Sequence, residues 1–170
     1  PVVVDVNYDD GLINPEEIEK SINSKTKAIV PVHLYGQCCD MESILAIAKK
    51  HGLFVLEDCA QSCGAEYKTK KAGTFGSISA FSFYPTKNLG TYGDGGAVAT
   101  NDSKLFEKLK ILRNYGQSKR FKHDFHGFNS RLDEIQAAIL NVKLKHVDRF
   151  NNIRIRNANY YKKYLKNIEA

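Results

Sequence analysis

The sequence predicts an α/β domain: a three-layer sandwich in which a mainly parallel sheet lies between helices. Short apolar runs of strand length alternate along the chain with longer segments of helical periodicity. Several of the helical segments carry capping residues at their ends. With 170 residues, 42% of them hydrophobic, the chain is long enough to bury a core.

Five apolar segments are predicted to form the strands. The run at 53–56 is continuously apolar, which is typical of parallel strands covered on both faces. A turn-rich segment at 68–76 and a glycine-rich loop at 90–96 flank the fourth strand. In chain order, the predicted strands are Val2–Val6, Lys27–Val32, Leu53–Leu56, Ile78–Phe83 and Ala97–Thr100.

Five segments are predicted to be helices. Asn14, Asp40 and Asp102 suit the N-cap positions of the first three, and Pro15 suits the first turn. Gly52 is expected to end the second helix. The predicted helices cover about 15–22, 41–51, 103–112, 132–144 and most of 147–168, with an irregular segment at 115–129.

Composition and charge exclude some classes of protein. No apolar run approaches the roughly 20 residues of a membrane span. The opening segment Pro1–Asp5 lacks the basic region of a secretory signal, so we expect a cytoplasmic protein with no membrane partner. The net charge of +6 suits solvated helices or attraction of an anionic substrate. No groove-reading motif accompanies it, so no nucleic-acid partner is expected.

The chain has four cysteines, at 38, 39, 59 and 63. Their spacing does not match the usual zinc patterns, and the chain is not a short secreted scaffold. We therefore expect reduced thiols that fill small packing positions, and no metal site.

Candidate chemistry follows three of the predicted strands. Ligands of open α/β sheets bind at the carboxyl ends of the strands, where this chain places His33, Asp58 and Lys87. A desolvated lysine can attack an aldehyde, and a neighbouring aspartate can hold a pyridine nitrogen protonated. Each residue also has a structural interpretation: His33 as a hydrogen-bonded core histidine, Asp58 as a cap, and Lys87 as a surface residue. The run 93–96 offers backbone donors for a phosphate, or is a turn.

Five segments form a recognisable ordered set: PVHLYGQ at 31–37, EDCAQ at 57–61, SFYPTKNLG at 82–90, GDGGA at 93–97 and GFNSRLDEIQAA at 127–138. Together they resemble the DegT/DnrJ/StrS sugar aminotransferase family, in the family's order and at its spacing. The resemblance spans about Pro1 to Tyr161, and the ordered set is far more specific than any single motif.

The resemblance implies the type I fold of pyridoxal-phosphate (PLP) enzymes, a homodimer, and transfer of an amino group from glutamate to a nucleotide-linked keto-sugar. Lys87 would form the Schiff base with PLP and shuttle protons. Asp58 would pair with the pyridinium nitrogen, and Gln61 would contact the hydroxyl side of the ring. Ser82 would bind the cofactor phosphate, and Asn129 would reach the partner's phosphate site across the dimer.

Other expectations also come from the resemblance. The related sugar 3-dehydratases have histidine in place of the lysine at 87, so Lys87 favours transamination. Family chains are about twice as long as this one, so we expect a partial PLP-binding large domain at 1–146 and, at 147–170, a helix that leads to a small domain. Two alternatives stay open: a type I PLP enzyme acting on amino acids, and a non-catalytic regulatory or binding protein of the same fold.

Overall fold

A computed structural model of the chain describes residues 1–166. Helices and strands alternate up to about residue 58, as the sequence predicts, and four more strands follow before the next helix. The helices are α1 (Pro15–Ser21), α2 (Met41–His51), α3 (Ser103–Leu112), α4 (Glu134–Leu144) and α5 (Val147–Tyr164). The strands are β1 (Ala28–Ile29), β2 (Phe54–Asp58), β3 (Glu66–Tyr67), β4 (Lys70–Lys71), β5 (Ile78–Ser82), β6 (Gly96–Ala99), β7 (Gln117–Lys119) and β8 (Lys122–His123).

The first three helices begin at the predicted caps. The side chains of Asn14, Asp40 and Asp102 each accept hydrogen bonds from backbone N–H groups of the first turn. Gly52 ends α2 in the left-handed conformation. The predicted end of the last helix, near Ile168, lies outside the described residues.

The main sheet has four strands in the order β1-β2-β5-β6. The first three are parallel, and β6 is antiparallel to β5. The sheet therefore confirms the α/β class and the mainly parallel arrangement. Its register pairs Asp58 with Ala80, which places the ends of β2 and β5 beside each other.

Helices α1 and α2 cover one face of the sheet. The main core cluster lies between them, and Cys39, Met41 and Ile44 are fully buried in it. On the opposite face Val30, Phe54 and Val98 are half or more exposed. A second, smaller cluster joins Leu89 to α4 and α5 through Leu140 and Val147.

Two local predictions were wrong. The segment Val2–Val6 forms no strand: its one bridge joins Val6 to Ile13, and no described strand lies beside Val3, which is 94% exposed. Strand β1 is two residues long because its ladder to β2 is interrupted before the bridge of Val32 to Asp58. The segments at 68–76 and 115–129 contribute to two hairpins, β3–β4 and β7–β8.

An apolar groove of about 820 Å³ lies between the segment 1–6 and β1. Valine and isoleucine side chains line much of it, and none of the five predicted site residues does. The described helices include none that is long and apolar enough to cross a membrane.

Candidate active site

The loops that follow β2 and β5 line a cleft of about 440 Å³. Lys87, from the loop after β5, and Gln61, from the loop after β2, both line it. The structure thus brings together two of the five predicted site residues. Asn151 and Arg154 of α5 close one side of the cleft.

The loop that carries Lys87 is held on both sides. The Lys87 N–H donates to the Tyr84 carbonyl at 2.9 Å, which forms a tight turn. The neighbouring Asn88 amide donates to Asn151 Oδ1 of α5 at 2.7 Å. Further along, Lys143 of α4 donates to the carbonyl of Gly90 at 2.6 Å. Lys87 itself is half-buried and belongs to none of the ion pairs between described residues.

Gln61 is oriented by a hydrogen bond from the loop after β1. Its Oε1 accepts from the Tyr35 N–H at 3.1 Å, so the amide nitrogen remains available as a donor. Tyr35 adopts φ +56°, a conformation that is uncommon for a residue other than glycine. The bond to Gln61 and the neighbouring Gly36, at φ +82°, stabilise this turn at the rim of the cleft.

Asp58 and Ser82 project from neighbouring strands on one face of the sheet. Asp58 is paired with Ala80, and Ser82 lies two residues beyond Ala80, so all three side chains share a face. Asp58 Oδ1 accepts from the Ala60 N–H at 2.9 Å in a short turn, which replaces the predicted helix cap. The Ser82 hydroxyl oxygen accepts from the Tyr84 N–H at 3.3 Å. Neither residue lines the cleft.

Asn129 lies away from the other predicted residues. It follows the β7–β8 hairpin and forms an isolated antiparallel β-bridge with Asn114. Asn129 is exposed and does not line the cleft. Hydrogen bonds between Phe128 and Leu112 and between Ser130 and Arg113 hold this segment against the end of α3. Its predicted role across a dimer remains a prediction.

His33 is a core residue, as its structural interpretation predicts. Its side chain is fully buried and bonds to Glu57 through Nε2 at 3.1 Å. Its Nδ1 accepts from the Cys39 N–H, which assigns the ring hydrogen to Nε2. Glu57 also accepts from three backbone N–H groups of the loop before β5, at Gly73, Phe75 and Gly76. The His33–Glu57 pair therefore links the segment after β1 to β2 and to the loop before β5.

All four cysteines are free, as predicted. Desolvation raises the pKa of the Cys39 and Cys59 thiols to about 12, so both stay protonated at neutral pH. The potential ligand atoms of His33, Glu57 and Cys59 lie within 4.8 Å of one another. The nitrogens and carboxylate oxygens of this group already have hydrogen-bond partners, which favours a packing role.

Two cleft residues, Asn151 and Arg154, are absent from the sequence-based set of site residues. Both lie in the polar helix α5, where their spacing of three residues puts them on one face. Polar residues and arginines three positions apart are common on solvated helices, so this spacing alone does not indicate a cleft. Their position became evident only from the docking of α5.

Comparisons with known proteins agree on one family. The family model described as the DegT/DnrJ/EryC1/StrS aminotransferase family matches residues 1–170. A dTDP-3-amino-3,6-dideoxy-alpha-D-galactopyranose transaminase from Aneurinibacillus thermoaerophilus is 54% identical over 98% of this chain and 46% of that protein. A protein from Geobacillus stearothermophilus named pleiotropic regulatory protein is 51% identical over 98% of this chain and 45% of its own length.

Solved structures give the same result. The crystal structure of S. venezuelae DesV in complex with a ketimine intermediate has a TM-score of 0.96 and 46% identity, and the match covers 99% of this chain and 46% of that one. The chain therefore spans under half the length of the relatives it matches.

Proposed function

The chain belongs to the DegT/DnrJ/EryC1/StrS aminotransferase family, and from this premise we propose that the protein transfers an amino group from glutamate to a nucleotide-linked keto-sugar. The single observation that carries the proposal for this chain is the placement of Lys87. It lies after a parallel strand, in a loop held by α4 and α5, and lines a cleft with Gln61.

Four side chains have the chemical types that PLP needs, two in the cleft (Lys87 and Gln61) and two on the neighbouring sheet face (Asp58 and Ser82). Lys87 supplies an amine without an ion-pair partner among the described residues, and Gln61 supplies a free amide donor. Asp58 supplies a carboxylate with one oxygen held by the Ala60 N–H, and Ser82 supplies a hydroxyl on the same face. These groups match the aldehyde, ring hydroxyl, pyridine nitrogen and phosphate of the cofactor.

Each residue has a proposed task. Bound PLP acts as an electron sink for a carbanion next to the amine. Lys87 Nζ holds the cofactor and, once released, carries a proton to and from the substrate carbon. The Asp58 carboxylate keeps the proton on the pyridine nitrogen, and the Gln61 amide orients the ring. Ser82 binds the phosphate, and Asn129 reaches the same site of a second copy in a homodimer.

The fixed backbone assists these tasks. The turn from Tyr84 to Lys87 and the bond of Asn88 to α5 restrict the motion of the lysine, so less conformational entropy is lost when the reacting atoms meet. We propose further that α5, which begins at Val147, connects the domain at 1–146 to another part of the full-length protein.

The proposal is tested in the full-length protein with PLP, glutamate and nucleotide-linked keto-sugars. Transamination should be present in the wild type and fall by at least about 10³-fold in Lys87→Ala, because the proton carrier is removed. Lys104→Ala, which changes an exposed lysine of α3, is the matched control and should keep full activity. Normal turnover by Lys87→Ala would contradict the proposal.

Two further candidates remain. A regulatory role is favoured by the name of the Geobacillus relative. In that case the wild type would transfer no amino group, whereas Lys87→Ala would keep the regulatory response. An enzyme acting on amino acids would use simple keto acids in the same assay and leave nucleotide-linked sugars unchanged.

A further inference from the structure

The side chains that line the cleft around Lys87 carry a net positive charge. Two cationic side chains line it, Lys87 and Arg154, and its lining includes no carboxylate. Neither cation belongs to an ion pair within residues 1–166. Asp148 lies at the edge of the cleft, close to Gly64 and Cys63. The lining itself still carries two positive charges and no negative one, which favours an anionic ligand.

The orientation of Arg154 toward the cleft follows from the docking of α5. Asn151, one turn earlier on the same helix face, accepts from Asn88 at 2.7 Å and donates to the Cys63 carbonyl at 2.9 Å. One amide thus joins the loop after β5 and the loop after β2 to α5. Residues three apart are neighbours on a helix surface, so the bonds of Asn151 direct Arg154 toward the same cleft.

A glycine permits this close docking. Gly64 has φ +89°, and a Cβ atom at this position would lie 2.7 Å from Asn151 Nδ2. A Cβ at this position would displace the Asn151 amide and disturb its hydrogen bonds to Asn88 and to the Cys63 carbonyl. Arg154 is exposed and lines the cleft one turn beyond this docked amide, so its guanidinium is open to a ligand.

We propose that Arg154 binds an oxyanion of the substrate, a carboxylate or a phosphate, in the cleft beside Lys87. The inference rests on the proposed function, whose two substrates both carry such groups. A guanidinium presents parallel N–H donors that match a carboxylate or phosphate in a bidentate manner. The oxyanion comes either from the carboxylates of the amino donor or from the diphosphate of the nucleotide.

The test uses the full-length protein with PLP and three variants. Arg154→Ala removes the cation, and Arg154→Lys keeps the charge but not the fork of donors. Arg156→Ala is the matched control, because Arg156 lies two residues along α5 and lines a separate shallow surface with Arg149 and Ile153. Glutarate and inorganic pyrophosphate serve as probes in calorimetric titrations, alongside KM for each substrate.

Arg154→Ala should weaken the binding of one probe, and raise KM for the corresponding substrate, by about 10- to 100-fold. Arg154→Lys should recover part of this loss, and Arg156→Ala should behave like the wild type. Weaker glutarate binding assigns the site to the donor carboxylate, and weaker pyrophosphate binding assigns it to the nucleotide.

The inference would be overturned if Arg154→Ala bound glutarate as tightly as the wild type does and also bound pyrophosphate as tightly as the wild type does. The binding titrations separate this failure from failure of the proposed function. If the wild type transfers no amino group but binds a probe more tightly than Arg154→Ala does, the proposed function is refuted and the anion site is retained.

Discussion

At the scale of single residues, Glu57 shows how a buried charge can be stabilised. Its carboxylate accepts from His33 and from the N–H groups of Gly73, Phe75 and Gly76. Burial alone would raise the pKa of Glu57, but these hydrogen bonds outweigh it and hold the pKa below its ordinary value of 4.5. The charged carboxylate thus fixes the loop before β5 against β2, next to Asp58.

We predict that Glu57→Gln lowers the free energy of unfolding by about 3 kcal/mol at pH 7, because an amide cannot accept all of these bonds. The folded-state pKa of Glu57 is depressed, so its stabilisation is complete above the unfolded-state pKa. It is lost as the pH falls below about 4.5 and through the folded-state pKa. Denaturant unfolding of both proteins from pH 7 to pH 3 measures this effect.

The difference in stability between wild type and Glu57→Gln should therefore shrink in acid. Glu107→Gln is the control, since Glu107 forms an exposed ion pair with Lys110 on α3. A Glu57→Gln protein as stable as this control at pH 7 would contradict the role assigned to the buried carboxylate.

At the scale of elements, α5 is joined to the cleft by few contacts. Val147 packs with Leu89 and Leu140, and Asn151 bonds to the loops at Asn88 and Cys63. Most of the rest of the helix is exposed. The position of α5 over the cleft therefore depends on its first turns and on the absence of a side chain at Gly64.

We predict that Gly64→Ala destabilises the protein more than Gly52→Ala does. Both glycines have positive φ, so alanine costs about 1–2 kcal/mol of backbone strain at either position. Only at Gly64 would the new Cβ also meet the Asn151 amide, whose displacement disturbs its hydrogen bonds and adds about 1 kcal/mol. At Gly52 nothing lies within 4 Å of the added atom.

Unfolding curves of the two variants measure this difference in stability. Equal losses would mean that α5 does not dock closely on Gly64. Because the substitution disturbs the Asn151 bonds that dock α5, Gly64→Ala should also weaken anion binding through Arg154, whereas Gly52→Ala should not.

At the scale of the whole molecule, much apolar surface is open. The face of the sheet that carries Asp58 and Ser82 leaves Phe54 and Val98 exposed. The groove beside β1 is lined by valines of the segment 1–6. The matched relatives are more than twice as long as this chain. Each of them therefore contains further residues outside the region that matches this domain.

Local sequence signals predicted much of this fold. Asn14, Asp40 and Asp102 cap helices where expected, and the continuous apolar run before Glu57 forms β2. The strand predicted at Val2–Val6 failed because an apolar run does not by itself supply a neighbouring strand. The hairpins β3–β4 and β7–β8 were missed because polar two- and three-residue strands have no periodicity to detect.

The candidate site was predicted only in part. The position of Lys87 and Gln61 in one cleft follows from their place after parallel strands. The contribution of Arg154 depends on how α5 docks through Asn151, a long-range contact that local sequence does not encode. The shared face of Asp58 and Ser82 depends on strand register, which the sequence alone did not determine.

The central claim, that Lys87 holds PLP, is tested most directly by reductive trapping. The full-length protein is incubated with PLP, reduced with borohydride and digested, and the peptides are analysed by mass spectrometry. We predict a phosphopyridoxyl group on Lys87, and no labelled peptide above background in Lys87→Ala. A label on another lysine such as Lys143, or equal labelling of wild type and Lys87→Ala, would contradict the claim.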